Sequence, residues 1–341
     1  MSHQITIKPS GATFTADADE TLLDAALRQG ILLPHGCRHG ACGACKGGVL
    51  SGTVDHGKYQ PHALTDAERE AGKTLFCCAH AQSDLTIDCP KATTKADDAL
   101  KVKTMPVRIE RLEKVTKDVI LMHLRLPASE TLEFRAGQYI DFLLPEGQRR
   151  SFSIANAPGK QDFIELHIRH VSGGLFTSWL FETAKVKDIL RIEGPHGSFF
   201  LRDDNKKPII LLATGTGFAP IKGIVEDSLA RKSKHPLHLY WGNRHESGFY
   251  ARALPEQWVK KHSHIRFTPV LFAPSHDWHG RVGQVEEVAA ADYPDLSGFE
   301  VYACGNPGMV EAAHHTLTTR CGLPEDAFYA DAFAFAAAPE Q

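Results

Sequence analysis

No apolar run in this sequence approaches the ~18 residues that a membrane span needs, and the opening MSHQITIKPS lacks the basic and apolar regions of a secretory leader. A cytoplasmic protein is therefore expected. An excess of one charge is missing as well. With 38 basic and 41 acidic side chains the formal net charge is -3, which supplies no long-range attraction to nucleic acid or a membrane surface. Internal repeats are absent, and the only biased tract is the Ala-rich end, AFAFAAAPEQ. None of the 19 histidines has metal-ligand spacing backed by its neighbours, so core and surface imidazoles account for them. Nothing in the pattern fixes an oligomeric state. Any partner has to be read from a site.

What is present is a chain of 341 residues with 43% hydrophobic and 23% charged side chains, too long for one ordinary core. Three domains are expected. Residues 1–93 open with alternating Ile5 and Ile7, a strand pattern, and Thr21-Leu22-Leu23-Asp24 reads as a capping box opening a short helix that Gly30 ends. Val49, Val54, a turn-rich stretch and Leu85-Thr86-Ile87 complete a small sheet with one helix. The polar residues 94–104 are expected to be a linker. From Pro106 strand-like segments recur, among them Val119 to Leu126 and the period-two run Ile164 to Arg169, so 105–205 is expected to be an antiparallel barrel. Within 206–341 a buried strand (Ile209 to Ala213), a Gly-rich turn, a helix around Ile221 to Arg231 and a strand (Leu237 to Trp241) form a βαβ pattern. That pattern predicts a parallel α/β domain. The class is thus multidomain, α+β and α/β.

Eight cysteines in a cytosolic chain are poor material for a disulfide framework, because the compartment keeps thiols reduced. Cys37, Cys42 and Cys45 have the C-x4-C-x2-C spacing of plant-type [2Fe-2S] ferredoxins, whose fourth ligand comes from far downstream. Small residues between them let the backbone aim N–H groups at anionic sulfur. A zinc site is the alternative, but zinc knuckles usually pair C-x2-C units, and only one such unit is present. Spacing leaves Cys77 and Cys78 equally able to be the fourth ligand. The segment Thr74-Leu75-Phe76-Cys77-Cys78-Ala79 resembles the ferredoxin segment in which the ligand stands one residue before a residue followed by Ala, which implies Cys77. Cys78 and Cys89 are then packed thiols.

Arg150-Ser151-Phe152-Ser153, if extended, offers an arginine for a phosphate, a ring to cover a flavin and a hydroxyl for its reactive nitrogen. Gly173-Gly174-Leu175-Phe176-Thr177 follows as a glycine turn into a helix expected over Thr177 to Glu182, whose N-terminus suits a pyrophosphate. These motifs, in this order after a ferredoxin-like unit, resemble the ferredoxin reductase superfamily over nearly the whole chain. The resemblance implies a β-grasp ferredoxin domain, a flavin barrel and a nicotinamide domain. It also implies that Arg150 holds the flavin phosphates, Phe152 its ring face (where the family more often has Tyr) and Ser153 its N5, with FAD favoured over FMN.

Gly215-Thr216-Gly217, with Pro220 in the first helical turn, lets backbone approach a dinucleotide and is similar to the family's nicotinamide loop. Cys304-Gly305 resembles the strand-end motif whose cysteine sits near the nicotinamide C4. Phe333, with Phe335 behind it, resembles the C-terminal aromatic that covers the flavin. Arg244 can pair a nucleotide phosphate, while Glu246 can reject a 2′-phosphate, so NADH and NADPH both stay open. The implied activity is an NAD(P)H-dependent reductase passing electrons through FAD and the cluster to an acceptor protein. A CDP-6-deoxy-3,4-glucoseen reductase type, serving a deoxysugar dehydratase, leads over the reductase component of an oxygenase. A redox sensor without turnover is the reading from another class.

Overall fold

The computed structural model describes residues 2–94, 100–159, 163–202 and 207–333. Backbone contacts divide them into two units: those up to Leu100 together with those from Asp331, and Lys101–Ala330.

The first unit holds β1 (Ser2–Lys8), β2 (Thr13–Asp17), α1 (Leu22–Arg28), β3 (Lys46–Ser51), β4 (Val54–Asp55), α2 (Asp66–Glu70), β5 (Lys73–Leu75), β6 (His80–Ala81) and β7 (Leu85–Asp88). Its main sheet runs β2-β1-β7-β3-β5, with β1 and β7 parallel. Ile5 and Ile7 alternate inward as expected and meet Leu22, Leu23 and Phe76 in the core. At α1 the Thr21 hydroxyl accepts the Asp24 N–H (3.1 Å), but the Asp24 carboxylate accepts from that hydroxyl (2.9 Å). Half of the expected capping box is therefore missing, because aspartate is one carbon short of the glutamate that the motif uses. The complete box lies at Thr65 and Glu68, opening α2 inside the stretch read as turns.

Gly47 on β3 shows how tightly this unit is packed. A Cβ there would lie 2.2 Å from Cζ of the fully buried Phe76 and 2.9 Å from the Asp88 carbonyl oxygen. Gly47→Ala is expected to cost about 1–3 kcal/mol, read as a lower urea midpoint for unfolding of this unit.

The second unit begins with β8 (Lys103–Lys114), which starts ahead of Pro106, followed by β9 (Val119–Arg125), β10 (Tyr139–Leu143), β11 (Arg149–Ser153), β12 (Phe163–Arg169), α3 (Leu175–Glu182) and β13 (Ile189–His196). The antiparallel order β11-β10-β13-β8-β9-β12 is closed by a bridge between Ile154 and Leu166, which makes it a barrel. The parallel part comprises β14 (Ile209–Thr214), α4 (Phe218–Ala230), β15 (Leu237–Asn243), α5 (Ala253–Lys261), β16 (Ile265–Leu271), β17 (Arg281–Val282), α6 (Val285–Asp292), β18 (Glu300–Gly305), α7 (Pro307–Cys321) and β19 (Phe328–Ala332), in the order β17-β16-β15-β14-β18-β19. Central β14 is parallel to both neighbours, as the apolar run Ile209 to Ala213 requires. Helix α4 starts three residues earlier than expected, entered through a 3-10 turn at Gly215–Gly217. No helix among the described residues is long and apolar enough to cross a membrane.

Candidate functional site

Four thiols gather in the first unit. Positive φ at Arg38 (60°), Gly40 (71°) and Gly43 (73°) curls the loop after α1 so that its N–H groups face sulfur. Ala41 and Cys42 donate N–H bonds to Cys37 Sγ, and Cys37 donates one to Cys42 Sγ, each at 3.3 Å. Gly40 has no room for a side chain, since a Cβ would lie 2.7 Å from Cys78 Sγ and 2.8 Å from Tyr59 Cβ.

The sulfurs titrate as two pairs. A hydrogen bond from the Cys42 thiol, aided by His39, pulls Cys37 down to about 3, and one from Cys45, then Cys78, pulls Cys77 down to about 4. Cys42 and Cys45 are pushed up in turn, first by those thiolate partners and then by burial. Among the described residues no three cysteine sulfurs lie within 4.8 Å of one another, as the ligands of one tetrahedral ion with bonds of about 2.3 Å would. This donor set, wide and supplied with backbone N–H groups, fits a thiolate-held cluster better than a single zinc. Cys78 Sγ lies 3.6 Å from Cys77 Sγ and is pushed up by it, and its hydrogen-bonded sulfur partner is Cys77 rather than Cys37, Cys42 or Cys45.

In the barrel, β11 pairs with β10 so that Arg150 lies opposite Phe142, Phe152 opposite Ile140 and Ser153 opposite Tyr139. Arg150 donates to Arg149 O (2.8 Å) and Gln148 Oε1 (3.1 Å), and among the described residues it has no carboxylate partner. Half-buried Phe152 packs on Phe142 (5.8 Å between centroids) and on Phe176 (5.6 Å) in the first turn of α3. That helix begins at Leu175 rather than Thr177, because Gly173 at φ 75° turns the chain and Gly174 serves as N-cap. No side chain caps it. The Thr177 hydroxyl is bound to Val171 and Gly174, so it shapes the turn instead of pointing at open space. A cationic Arg150, a half-buried ring and an uncapped helix end fit the phosphates and flat ring of a flavin.

At the carboxyl edge of the parallel sheet, Gly215 (φ 53°), Thr216 and Gly217 form the turn into α4, with Pro220 buried in its first turn. A Cβ on Gly217 would lie 2.1 Å from the Cys304 carbonyl oxygen, and one on Gly305 (φ 146°) would lie 2.1 Å from Thr214 Oγ1. The glycines thus let the turn, β14 and the end of β18 pack backbone against backbone, which brings both motifs together at one place on the sheet's edge and suits close backbone approach to a dinucleotide. The Cys304 side chain is wholly buried beneath it.

Arg244 follows β15 and among the described residues has no ion partner, whereas Glu246 is held by Arg252 (3.0 Å). Phe333 is half-buried directly after β19, and Phe335 lies outside the described residues.

One residue escaped the sequence reading. The Arg169 guanidinium at the end of β12 lies over the glycine turn, its Nη1 2.9 Å from where a Gly215 Cβ would be. Its Nε is buried without a hydrogen bond, 3.4 Å from Asp118. A period-two strand pattern gives no signal that its polar face is used in this way. The histidine reading has one exception too, since His196 gathers with Asp141 and Glu193 in metal-ligand proximity. Arg149, 2.5 Å from Glu193 and 3.5 Å from Asp141, already supplies the positive charge there.

Three family models match the chain in succession: a 2Fe-2S iron-sulfur cluster binding domain over residues 5–82, an oxidoreductase FAD-binding domain over 106–201 and an oxidoreductase NAD-binding domain over 211–315. A CDP-6-deoxy-L-threo-D-glycero-4-hexulose-3-dehydrase reductase from Yersinia pseudotuberculosis is 40% identical, over 98% of this chain and 99% of its own. The phenol hydroxylase P5 protein of Acinetobacter pittii is 39% identical, over 93% and 90%. Among solved structures, the Amycolatopsis cytochrome P450 reductase GcoB superposes with a TM-score of 0.78 at 31% identity, covering 97% of this chain and 98% of that one.

Proposed function

Because the chain belongs to the iron-sulfur flavoprotein reductases, which join a 2Fe-2S domain to FAD- and NAD-binding oxidoreductase domains, we propose how its own residues divide the work. When bound, FAD takes an electron pair from NAD(P)H and the [2Fe-2S] cluster carries electrons singly, so the pair is split on its way to an acceptor. Cys37, Cys42, Cys45 and Cys77 hold the cluster, and the N–H groups of Cys37, Ala41 and Cys42 offset its negative charge. Arg150 and the end of α3 hold the flavin phosphates, and Phe152 and Ser153 bracket its ring. Gly173 and Gly174 keep that helix end clear of side chains, and Thr177 braces it.

Gly215, Thr216, Gly217, Pro220 and Gly305 let the nucleotide lie against backbone, and Arg169 and Arg244 supply it with positive charge. Cys304 lines the floor below, and Phe333 covers the flavin face. The domains divide near residues 93 and 205, and the linker expected over 94–104 gives way at Lys103 to β8 of the barrel. A cytoplasmic setting keeps the thiols reduced for cluster assembly.

The observation that carries the reading is the donor set of the first unit. It stands in one chain with an uncapped helix whose first turn packs on Phe152, and with a glycine turn under Arg169. The acceptor is a protein. We favour a dehydratase acting on a CDP-6-deoxyhexulose, on the strength of the 40% relative, 99% of which the match covers. The 39% relative keeps an oxygenase component as second reading.

Purified holoprotein mixed anaerobically with NADH, and separately with NADPH, is expected to lose its flavin absorbance with at least one of them and to reduce cytochrome c. If neither nucleotide bleaches the flavin, the redox-sensor reading replaces this one. Turnover with the dehydratase set against turnover with an oxygenase decides the acceptor.

A further inference from the structure

Strand β12 has two faces. Ile164, Leu166 and Ile168 fill the barrel core, while Glu165, His167 and Arg169 look outward and meet the nucleotide half of the same unit. Glu165 Oε2 accepts from Lys222 Nζ of α4 at 3.0 Å, and Glu165 Oε1 lies 2.8 Å from His167 Nε2. His167 Nδ1 lies 2.9 Å from the Tyr250 hydroxyl. A carboxylate only accepts, so Nε2 carries the imidazole proton and Tyr250 donates to Nδ1.

We propose that Lys222, Glu165, His167 and Tyr250 are positioning residues that fix the nucleotide half on the barrel, and so set the rate, not the affinity, with which bound NAD(P)H reduces the flavin. This rests on the reductase reading above.

The chain of contacts grips the glycine turn from two sides. Lys222 stands one helical turn beyond Gly217 and is buried, with its three N–H groups matched by Ala155 O, Glu165 and Glu226, each at 3.0 Å. Gly223 beside it brings the helix close to the barrel backbone, because an added Cβ would lie 3.2 Å from Ile154 O and Asn156 O. On the other side the Tyr250 ring meets Trp241 edge-on (5.3 Å), and the Trp241 indole N–H donates to Gly215 O (2.9 Å). Burial keeps His167 neutral, against the pull of Glu165. Burial would raise Glu165, but His167 and Lys222 together hold it down at about 2. A buried ion pair adds little net stability over apolar packing, and its best-supported use is to select one arrangement. Here that arrangement includes the turn on which the nucleotide lies.

The test uses the holoprotein in anaerobic stopped-flow with NADH and NADPH. Tyr250→Phe, Glu165→Gln and Lys222→Met are expected to keep FAD and iron content, and to hold the nucleotide dissociation constant within about threefold. Their limiting rate of flavin reduction is expected to fall about 10- to 100-fold, the scale of a 1 Å misplacement. The Glu165→Gln, Lys222→Met double variant should be no slower than its slower parent, since both act through one bond. If the limiting rate stays within about twofold while only thermal stability drops, or if the whole loss lies in the dissociation constant, the proposal is wrong. Should Lys222→Met fail to fold, Tyr250→Phe, which removes one oxygen, decides alone. Wild-type protein that neither nucleotide bleaches would instead overturn the reductase reading itself.

Discussion

Cys77→Ala is expected to leave a yellow protein that NAD(P)H still bleaches but that no longer reduces cytochrome c at an appreciable rate. Cys78→Ala is expected to stay brown and active. The two thiols adjoin and are equally buried, so exposure does not separate them. Their partners do. Cys77 is hydrogen-bonded to Cys45 and is pulled down to about 4, while Cys78 is pushed up by Cys77 and by burial. Removing Cys77 leaves Cys45 without its sulfur partner and the cluster one ligand short, so iron should fall from about two per chain to near none. The bleaching step should survive, because the residues assigned to FAD and to the nucleotide all belong to the second unit except Phe333. Iron content, visible absorbance and anaerobic bleaching of both variants check this. Loss of iron from Cys78→Ala alone would reverse the ligand assignment.

The elements legible in the sequence were those with strong periodicity or unmistakable chemistry. Ile209 to Ala213 could only be a buried strand, and the alternation of Ile164 to Arg169 could only be a strand with two unlike faces. What that pattern cannot say is what the second face meets. Glu165, His167 and Arg169 are the polar face of that alternation and touch Lys222, Tyr250 and Gly215, tertiary contacts that local period does not encode. Short polar elements were equally hidden. Helix α2 has five residues and no buried side chain, so its only signature is the capping box at Thr65 and Glu68. Helix α3 starts two residues ahead of the expected Thr177 because Gly174 caps it without a side-chain bond to advertise the position. In the cysteine loop, spacing was enough for three ligands. The fourth needed a resemblance, since adjacent cysteines differ only in the direction of their sulfurs.

The second large effect is expected at Gly217. Its φ of -58° and ψ of -14° are ordinary for any residue, so Gly217→Ala meets no penalty from backbone conformation. The obstacle is contact. The new methyl would lie 2.1 Å from Cys304 O, 2.6 Å from Cys304 C and 3.0 Å from Gly305 Cα, all of them backbone atoms of β18 that cannot rotate away. Relief requires the glycine turn to part from β18, and the turn is the surface on which the nucleotide is proposed to rest. A displacement near 1 Å at that point should slow flavin reduction by NAD(P)H about 100-fold. FAD content and reduction of the cluster by dithionite should be unchanged. Gly298→Ala is the matched control, because nothing lies within 4 Å of its added Cβ, and it should change stability by no more than about 0.5 kcal/mol. If the two variants are bleached by NAD(P)H at the same rate, close approach of the Gly217 and Cys304 backbones is not what the nucleotide site depends on.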